Sequence, residues 1–276
     1  MKFDVVIVSK DRYPLLLKQV KRIKNNIRYQ KIIIVDSTDE IPKQIHKFYT
    51  NEGIEYYHTP NVKLGYARQL ALEAVSTPFF LMLDDDIIFK RGLAETLYNE
   101  MLKYGPTVFA MSPIIIFGSN KDIIPVMLRH QGDSESASSG CVMFITKIAL
   151  GVGGFNPEIH IGEDAELFYR AIYHKYRWIR KDGVFVNHPL TDVEFIFRKW
   201  RHREGISSSV AYGYHTYHGL IIIKIKGMLI NLLSFMKYRN FRTLMFCTCH
   251  DFITVLAYIR GIIGGKEYAL HKTKIV

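Results

Sequence analysis

The sequence predicts an α/β protein built on a mostly parallel, doubly wound sheet, and three observations carry that prediction. Short strand-like runs recur at 3–8, 31–35, 54–58 and 79–83, with helix-like stretches between them, and the first two are dense in Val and Ile. The first is apolar almost throughout, the pattern of a parallel strand covered on both faces. Two of the runs end in acidic turns, one at Asp36 and one at Asp84, Asp85 and Asp86. Ligands of such sheets bind outside the carboxyl ends of the strands, so both turns fall on the predicted binding edge.

Taken in order, the first strand passes into Ser9-Lys10-Asp11-Arg12-Tyr13-Pro14, and a helical stretch covers 15–25. The second strand ends in Asp36-Ser37-Thr38-Asp39, a polar turn, and helix-like spacing at 41–51 precedes the third. A segment ending at Gly65 leads to a helix over 66–75, and the fourth strand runs into the three aspartates. The second half is less regular. It reads as a strand at 107–117, a Ser- and Asp-rich loop at 132–140, a strand at 142–145 and a glycine joint at 151–154. Ala165, Leu167, Phe168, Ala171 and Ile172 suit a helix over 163–176 packed on one side. A short strand at 184–187 then ends at His188-Pro189. No glycine-rich dinucleotide fingerprint follows the first strand and no GxxxxGK[ST] loop occurs, which removes nicotinamide-dependent and P-loop chemistry.

Of 276 residues 48% are hydrophobic, enough for one sizeable core with an appendage or two modest domains. The formal charge of +11 is unevenly placed. Residues 1–170 carry 20 basic and 20 acidic side chains, whereas 171–276 carry 17 and 6, so the whole excess lies in the last 106 residues. Such a region wants an anionic partner. Its basic residues lie among long aliphatic runs rather than in an aromatic-studded groove, which argues against nucleic acid. Stretches 219–238 and 244–263 each show one narrow polar stripe on an apolar helix, with Lys237, Arg239 and Arg242 between them. Neither is the uninterrupted run of about 20 apolar residues that a spanning helix needs. The expectation is an in-plane seat on an anionic bilayer; packing on the catalytic domain or on a partner subunit is the alternative. Three cysteines, Cys141, Cys247 and Cys249, make no disulfide framework, and Cys247, Cys249 and His250 lack the spacing of a zinc site. The N-terminus shows no signal-peptide pattern, so the expectation is a protein on the cytoplasmic face of the cell membrane.

Three consecutive carboxylates at a strand end are expensive unless something neutralises them. If the strand geometry continues, Asp84 and Asp86 share a side and Asp85 turns away, which makes Asp85→Ala the mildest substitution of the three. Two converging carboxylates suit Mg2+ or Mn2+; an acidic turn capping a helix reads equally well. Gly162-Glu163-Asp164-Ala165-Glu166 is in the same position. It suits acids complementing a helix dipole, or a carboxylate placed as a base towards a bound hydroxyl.

The ordered series Val5-Val6-Ile7-Val8-Ser9, Ile34-Val35-Asp36, Gly65-Tyr66-Ala67-Arg68-Gln69, Leu83-Asp84-Asp85-Asp86, Gly153-Gly154-Phe155-Asn156 and Gly162-Glu163-Asp164 resembles glycosyltransferase family 2 over about residues 3–205. The resemblance implies a GT-A fold over 1–205, leaving the basic helical region read from charge and spacing as an extension over 206–276, and it implies inverting transfer from a nucleoside-diphosphate sugar (UDP-, GDP- or dTDP-linked) to a glycan or polyprenyl-linked acceptor. It implies donor contacts at Ser9, Arg12, Asp36, Gly65, Arg68 and Asp84; the arginine-tryptophan signature of processive members is not cleanly present, and Arg198, Arg201 or Arg203, which lie roughly there, are expected to assist the leaving group. It places Mn2+ or Mg2+ on Asp86, Asp84 and His188, and the catalytic pair at Asp164, the general base, and Glu163. Lys10-Asp11 stands where the family has an aromatic-Asn pair, and Gln69 where Asn is common. A sugar nucleotidyltransferase and a catalytically silent sugar-binding scaffold on the membrane are the competing readings. The first lacks its early glycine- and arginine-rich loop, and the second has no use for an intact Asp84, Asp86 and Asp164.

Overall fold

A computed structural model describes residues 2–117, 134–135, 140–160 and 162–189, with isolated positions at 252, 255, 256 and 259. The elements in order are β1 (Phe3–Ser9), α1 (Tyr13–Asn26), β2 (Ile32–Asp36), α2 (Lys43–Asn51), β3 (Glu55–His58), α3 (Leu64–Glu73) and β4 (Phe79–Leu83). There follow α4 (Leu93–Tyr104), β5 (Val108–Phe117), β6 (Ser134–Glu135), β7 (Cys141–Ile145), α5 (Thr146–Gly151), α6 (Glu163–Tyr173) and β8 (Arg177–His188). The predicted extension over 206–276, and Arg198, Arg201 and Arg203, lie outside the described residues.

The strands form one sheet in the order β3-β2-β1-β4-β7-β5-β8-β6. Alternation along each strand sends side chains to two separate apolar layers. Val5 and Ile7 of β1 and Leu81 and Leu83 of β4 join Leu16, Val20 and Ile23 of α1 and Leu97 and Met101 of α4. Val6, Phe80 and Met82 face the opposite layer with Ala67 and Ala71 of α3, Ala149 of α5 and Leu167 of α6. Helices therefore cover both faces, which is why the strands read as continuous apolar runs. Pro14 at the start of α1 sets φ where a helix begins and gives up an N–H that would have no partner there.

The sheet is parallel from β3 through β4, as expected. β7 then runs antiparallel between β4 and β5, and β5 and β8 resume a parallel pair. Four elements differ from the sequence reading: β6 falls within the loop expected at 132–140, α5 occupies a stretch unassigned from the sequence, and α4 and β8 differ as follows. Residues 87–106, unassigned from the sequence, hold α4, whose Leu93, Leu97 and Met101 are buried at helical spacing. β8 spans twelve residues instead of the four expected. Its first half is hidden in the sequence by Arg180-Lys181-Asp182-Gly183, which reads as a turn. The register shows why those charges fit: Ser112 faces Arg180 but Ile114 faces Phe185, so 181–184 bulge out opposite Pro113. A proline has no N–H to offer a ladder at that point.

Candidate functional site

The chain runs outward from β1 to β2 to β3 and then returns to the other side of β1 as β4. The switch in direction opens a crevice between the ends of β1 and β4, the place where such sheets bind ligands. Ser9 and Arg12 line one side of it and the aspartate triplet the other. The triplet is not extended. Asp85 and Asp86 occupy a turn whose closing bond, from Ile87 N–H to the Asp84 carbonyl, is long at 3.4 Å. Convergence of Asp84 and Asp86 therefore comes from a turn rather than from strand alternation.

Asp85 does sit apart from the other two, yet it is not idle. It is 3% exposed, accepts a hydrogen bond from the Ser9 hydroxyl at 2.7 Å and faces Arg12 at 2.8 Å. Burial pushes its carboxyl up to about 6, against the pull of Ser9 and Arg12. Asp85→Ala therefore carries a cost of its own, because that change leaves the Ser9 hydroxyl and one arm of Arg12 without their acceptor. Arg12 reaches across both carboxylates, with its second nitrogen 2.7 Å from Asp86 Oδ2.

Asp84, Asp86 and His188 come together although about a hundred residues of chain separate the histidine from the two aspartates. One ligand atom from each lies within 4.8 Å of the others. A backbone bridge makes the meeting: Ile88 N–H donates to the Asn187 carbonyl at 2.8 Å and Asn187 N–H returns the bond at 2.9 Å. Asp86 lies two residues before one end of that bridge and His188 one residue after the other. His188 Nε2 is 3.5 Å from Asp86 Oδ1, which is buried and accepts no hydrogen bond. Two carboxylates and an imidazole around such an oxygen fit a divalent cation of the Mn2+ or Mg2+ type.

A second charged cluster lies behind this group. Arg68, on α3 and 3% exposed, pairs with Glu163 and sits 3.3 Å from Asp84. Glu163 and Asp164 open α6 after Gly162, whose φ of 92° suits glycine, and acids in a first helical turn complement the dipole. Burial pushes Glu163 up to about 7, with Asp164 and Asp84 adding and Arg68 opposing. Asp164 Oδ1 accepts the N–H of Ala165 at 2.8 Å. Arg68 thus ties the acidic start of α6 to the aspartate turn.

The remaining predicted residues fall as follows. Asp36 is buried, and both its oxygens have protein partners: Thr38 N–H at 2.9 Å and the Tyr56 hydroxyl at 2.9 Å. Gly65 is closed in by backbone, since a Cβ there would stand 2.0 Å from the Asn156 carbonyl; its N–H donates to Ile159. Gly65 therefore shows a packing reason for being glycine. Gln69 accepts from Phe155 N–H at 2.8 Å and holds the glycine joint against α3. One contributor was missed: Gln19 of α1 bonds the carbonyls of Asp84 and Ile87. Its sequence signal is a lone amide on the apolar stripe of Leu16, Val20 and Ile23.

Comparison with known proteins agrees with this arrangement. Residues 4–151 match the model of a family described as glycosyl transferase family 2. Pre-mycofactocin glycosyltransferases of Mycobacterium tuberculosis strains CDC 1551 / Oshkosh and H37Rv are 30% identical over 173 residues, covering 55% of this chain and 36% of theirs. The chain thus spans little more than a third of the length of these curated relatives. Among solved structures, the mannosyltransferase PcManGT from Pyrobaculum calidifontis, in complex with GDP-Man and Mn2+, aligns with a TM-score of 0.67 at 15% identity, over 94% of this chain and 86% of that one. S. aureus TarS 1-349 in complex with UDP-GlcNAc aligns at 0.55 and 13% identity, over 77% of this chain and 71% of that one. These structures share the GT-A architecture, with its mixed sheet between helical layers. The family match begins in β1, crosses the aspartate turn and ends in α5, more than half of the 276 residues, and the chain belongs to glycosyl transferase family 2.

Proposed function

We propose that this chain transfers a sugar, with inversion, from a nucleoside-diphosphate sugar to a hydroxyl or phosphate of a glycan or lipid-linked acceptor. The observation that carries the reading is the gathering of Asp84, Asp86 and His188 at the sheet's switch point, with Arg68 linking Asp84 to Glu163, the neighbour of Asp164. PcManGT, solved with GDP-Man and Mn2+, and GalNAc-T7, solved with UDP, GalNAc and Mn2+, support a nucleotide donor and a metal.

In this reading Asp84, Asp86 and His188 hold Mn2+ or Mg2+. A bound divalent cation supplies Lewis-acid neutralisation of the charge that develops on the departing diphosphate. Arg12, half exposed in the crevice, offers its guanidinium to the same anion. Arg198 and Arg201 are proposed to assist it. Asp164 accepts the proton of the acceptor hydroxyl while that oxygen forms its bond to the anomeric carbon. The bond from that carbon to the diphosphate oxygen breaks on the opposite face, so configuration inverts. Glu163 keeps Arg68 in place beside the base.

Thermal melting tests the donor and metal together. With UDP, GDP or dTDP at a hundredfold excess over its Kd, one nucleotide class should stabilise the protein by about 2.7 kcal/mol in Mn2+ and not in EDTA. Equal melting in Mn2+ and EDTA with every nucleotide would refute the reading.

The basic region over 206–276 is proposed to seat the enzyme on an anionic membrane surface on the cytoplasmic side, near a lipid-linked acceptor. Its charge in the sequence supports this. Among the described residues no helix is long and apolar enough to cross a membrane. In flotation with phosphatidylserine-containing liposomes, the full chain should rise with the vesicles and a form ending at Ser209 should stay below. Identical behaviour of the two would rule the seat out.

A further inference from the structure

We infer that Gln19, backed by Arg22, is the positioning device that holds the aspartate turn in metal-binding geometry, an inference that rests on the metal reading above. The turn from Asp84 to Ile87 presents the carboxylate of Asp86, and its own closing bond is the long 3.4 Å contact. Its ends are anchored well. Asp84 N–H donates to the Gly140 carbonyl at 2.9 Å, and Ile88 is bridged to Asn187. The two carbonyls that bracket the turn depend on α1. Gln19 Nε2 donates to the Asp84 carbonyl at 2.8 Å and to the Ile87 carbonyl at 3.0 Å, so one amide group clasps both sides of the turn.

Arg22 fixes which way that amide faces. Its Nη1 donates to Gln19 Oε1 at 2.7 Å and to the Ile87 carbonyl at 3.0 Å. A guanidinium has no acceptor, so the glutamine oxygen must face it and the NH2 must face the carbonyls. The amide is wholly buried on the apolar side of α1, where an unpaired polar group is costly. Each of its polar atoms has a partner, and each partner bears on the turn. Gln19 touches neither metal ligand atoms nor substrate. It acts through the backbone that carries Asp84 and Asp86, the kind of support whose removal typically costs on the order of 10–100-fold in metal affinity.

The test is direct Mn2+ binding to the full chain, by calorimetry or by the electron spin resonance signal of free Mn2+, with no nucleotide present. Gln19→Met keeps length and volume but removes both donors, and should weaken Mn2+ by about tenfold or more. Arg22→Met, on the exposed end of the network, should weaken it by less. Val20→Ala, a cavity on the same helix, should lower the melting temperature and leave Mn2+ affinity unchanged. Should Gln19→Met fail to fold, Arg22→Met decides. Wild-type affinity in the folded Gln19 and Arg22 variants, or an equal loss in Val20→Ala, would overturn the positioning role while leaving the metal site intact. Absence of Mn2+ binding by the wild type would instead overturn the metal reading, and this inference with it.

Discussion

Replacing Arg68 with methionine is expected to cost about 3–5 kcal/mol of folding stability, because it removes one partner of a buried ion pair and leaves the other uncompensated. Arg68 is the cation between Glu163 and Asp84, and Asp164 also acts on it. The loss should depend on pH in a definite sense. Glu163 has a folded pKa raised to about 7 from an ordinary 4.5, so its stabilising contribution is present at low pH and lost as pH rises through about 7. Without Arg68 the ionised carboxylate keeps Asp164 and Asp84 as its charged neighbours. Urea midpoints of wild type and variant should therefore differ more at pH 8 than at pH 6. A midpoint unchanged at pH 8 would show that the pair contributes nothing to stability.

Asp164→Asn should lower turnover by about 10²–10⁴-fold, the usual worth of general-base assistance, while donor binding stays close to wild type. Asp164 uses Oδ1 to accept the N–H of its own neighbour Ala165, and asparagine keeps that oxygen. The change removes the ability to take a proton together with the negative charge that acts on Arg68. Nucleotide affinity from calorimetry and rate from product formation separate the two effects. A fall in donor affinity as large as the fall in rate would move Asp164 from base to binding residue. Both substitutions address the same cluster, but one reads its contribution to folding and the other its contribution to chemistry.

The strands were legible because a sheet covered on both faces must be apolar along its whole length, and Val, Ile and Phe announce that directly. The acidic edge was legible for a related reason: a strand such as Phe79–Leu83 that runs into three aspartates has reached the end of its apolar layer. Direction was not legible. Nothing in Cys141–Ile145 distinguishes an antiparallel strand from a parallel one, since both are buried on two faces. The charged half of β8 was lost because pairing with β5 overrides local composition. The turn at Asp84 to Ile87 was misjudged as extended because carboxylates carry no signal of backbone angle. Whether an arginine faces a ligand or the interior is likewise invisible in a motif, and Arg68 proved to be buried.

The position of β7 has a consequence for how the molecule is made. During synthesis β1 to β4 can pair in the order they emerge, and Arg12 then offers the acidic turn an internal counter-charge drawn entirely from the first 86 residues. β5 emerges next but has no partner, because the strand that joins it to β4 is made about thirty residues later. β8, which brings His188, comes later still. Such non-local pairing is slow and leaves edges open to other chains until it is complete. The nascent protein therefore carries its aspartates long before it carries the rest of their site, with an arginine from its first loop to answer them in the interval.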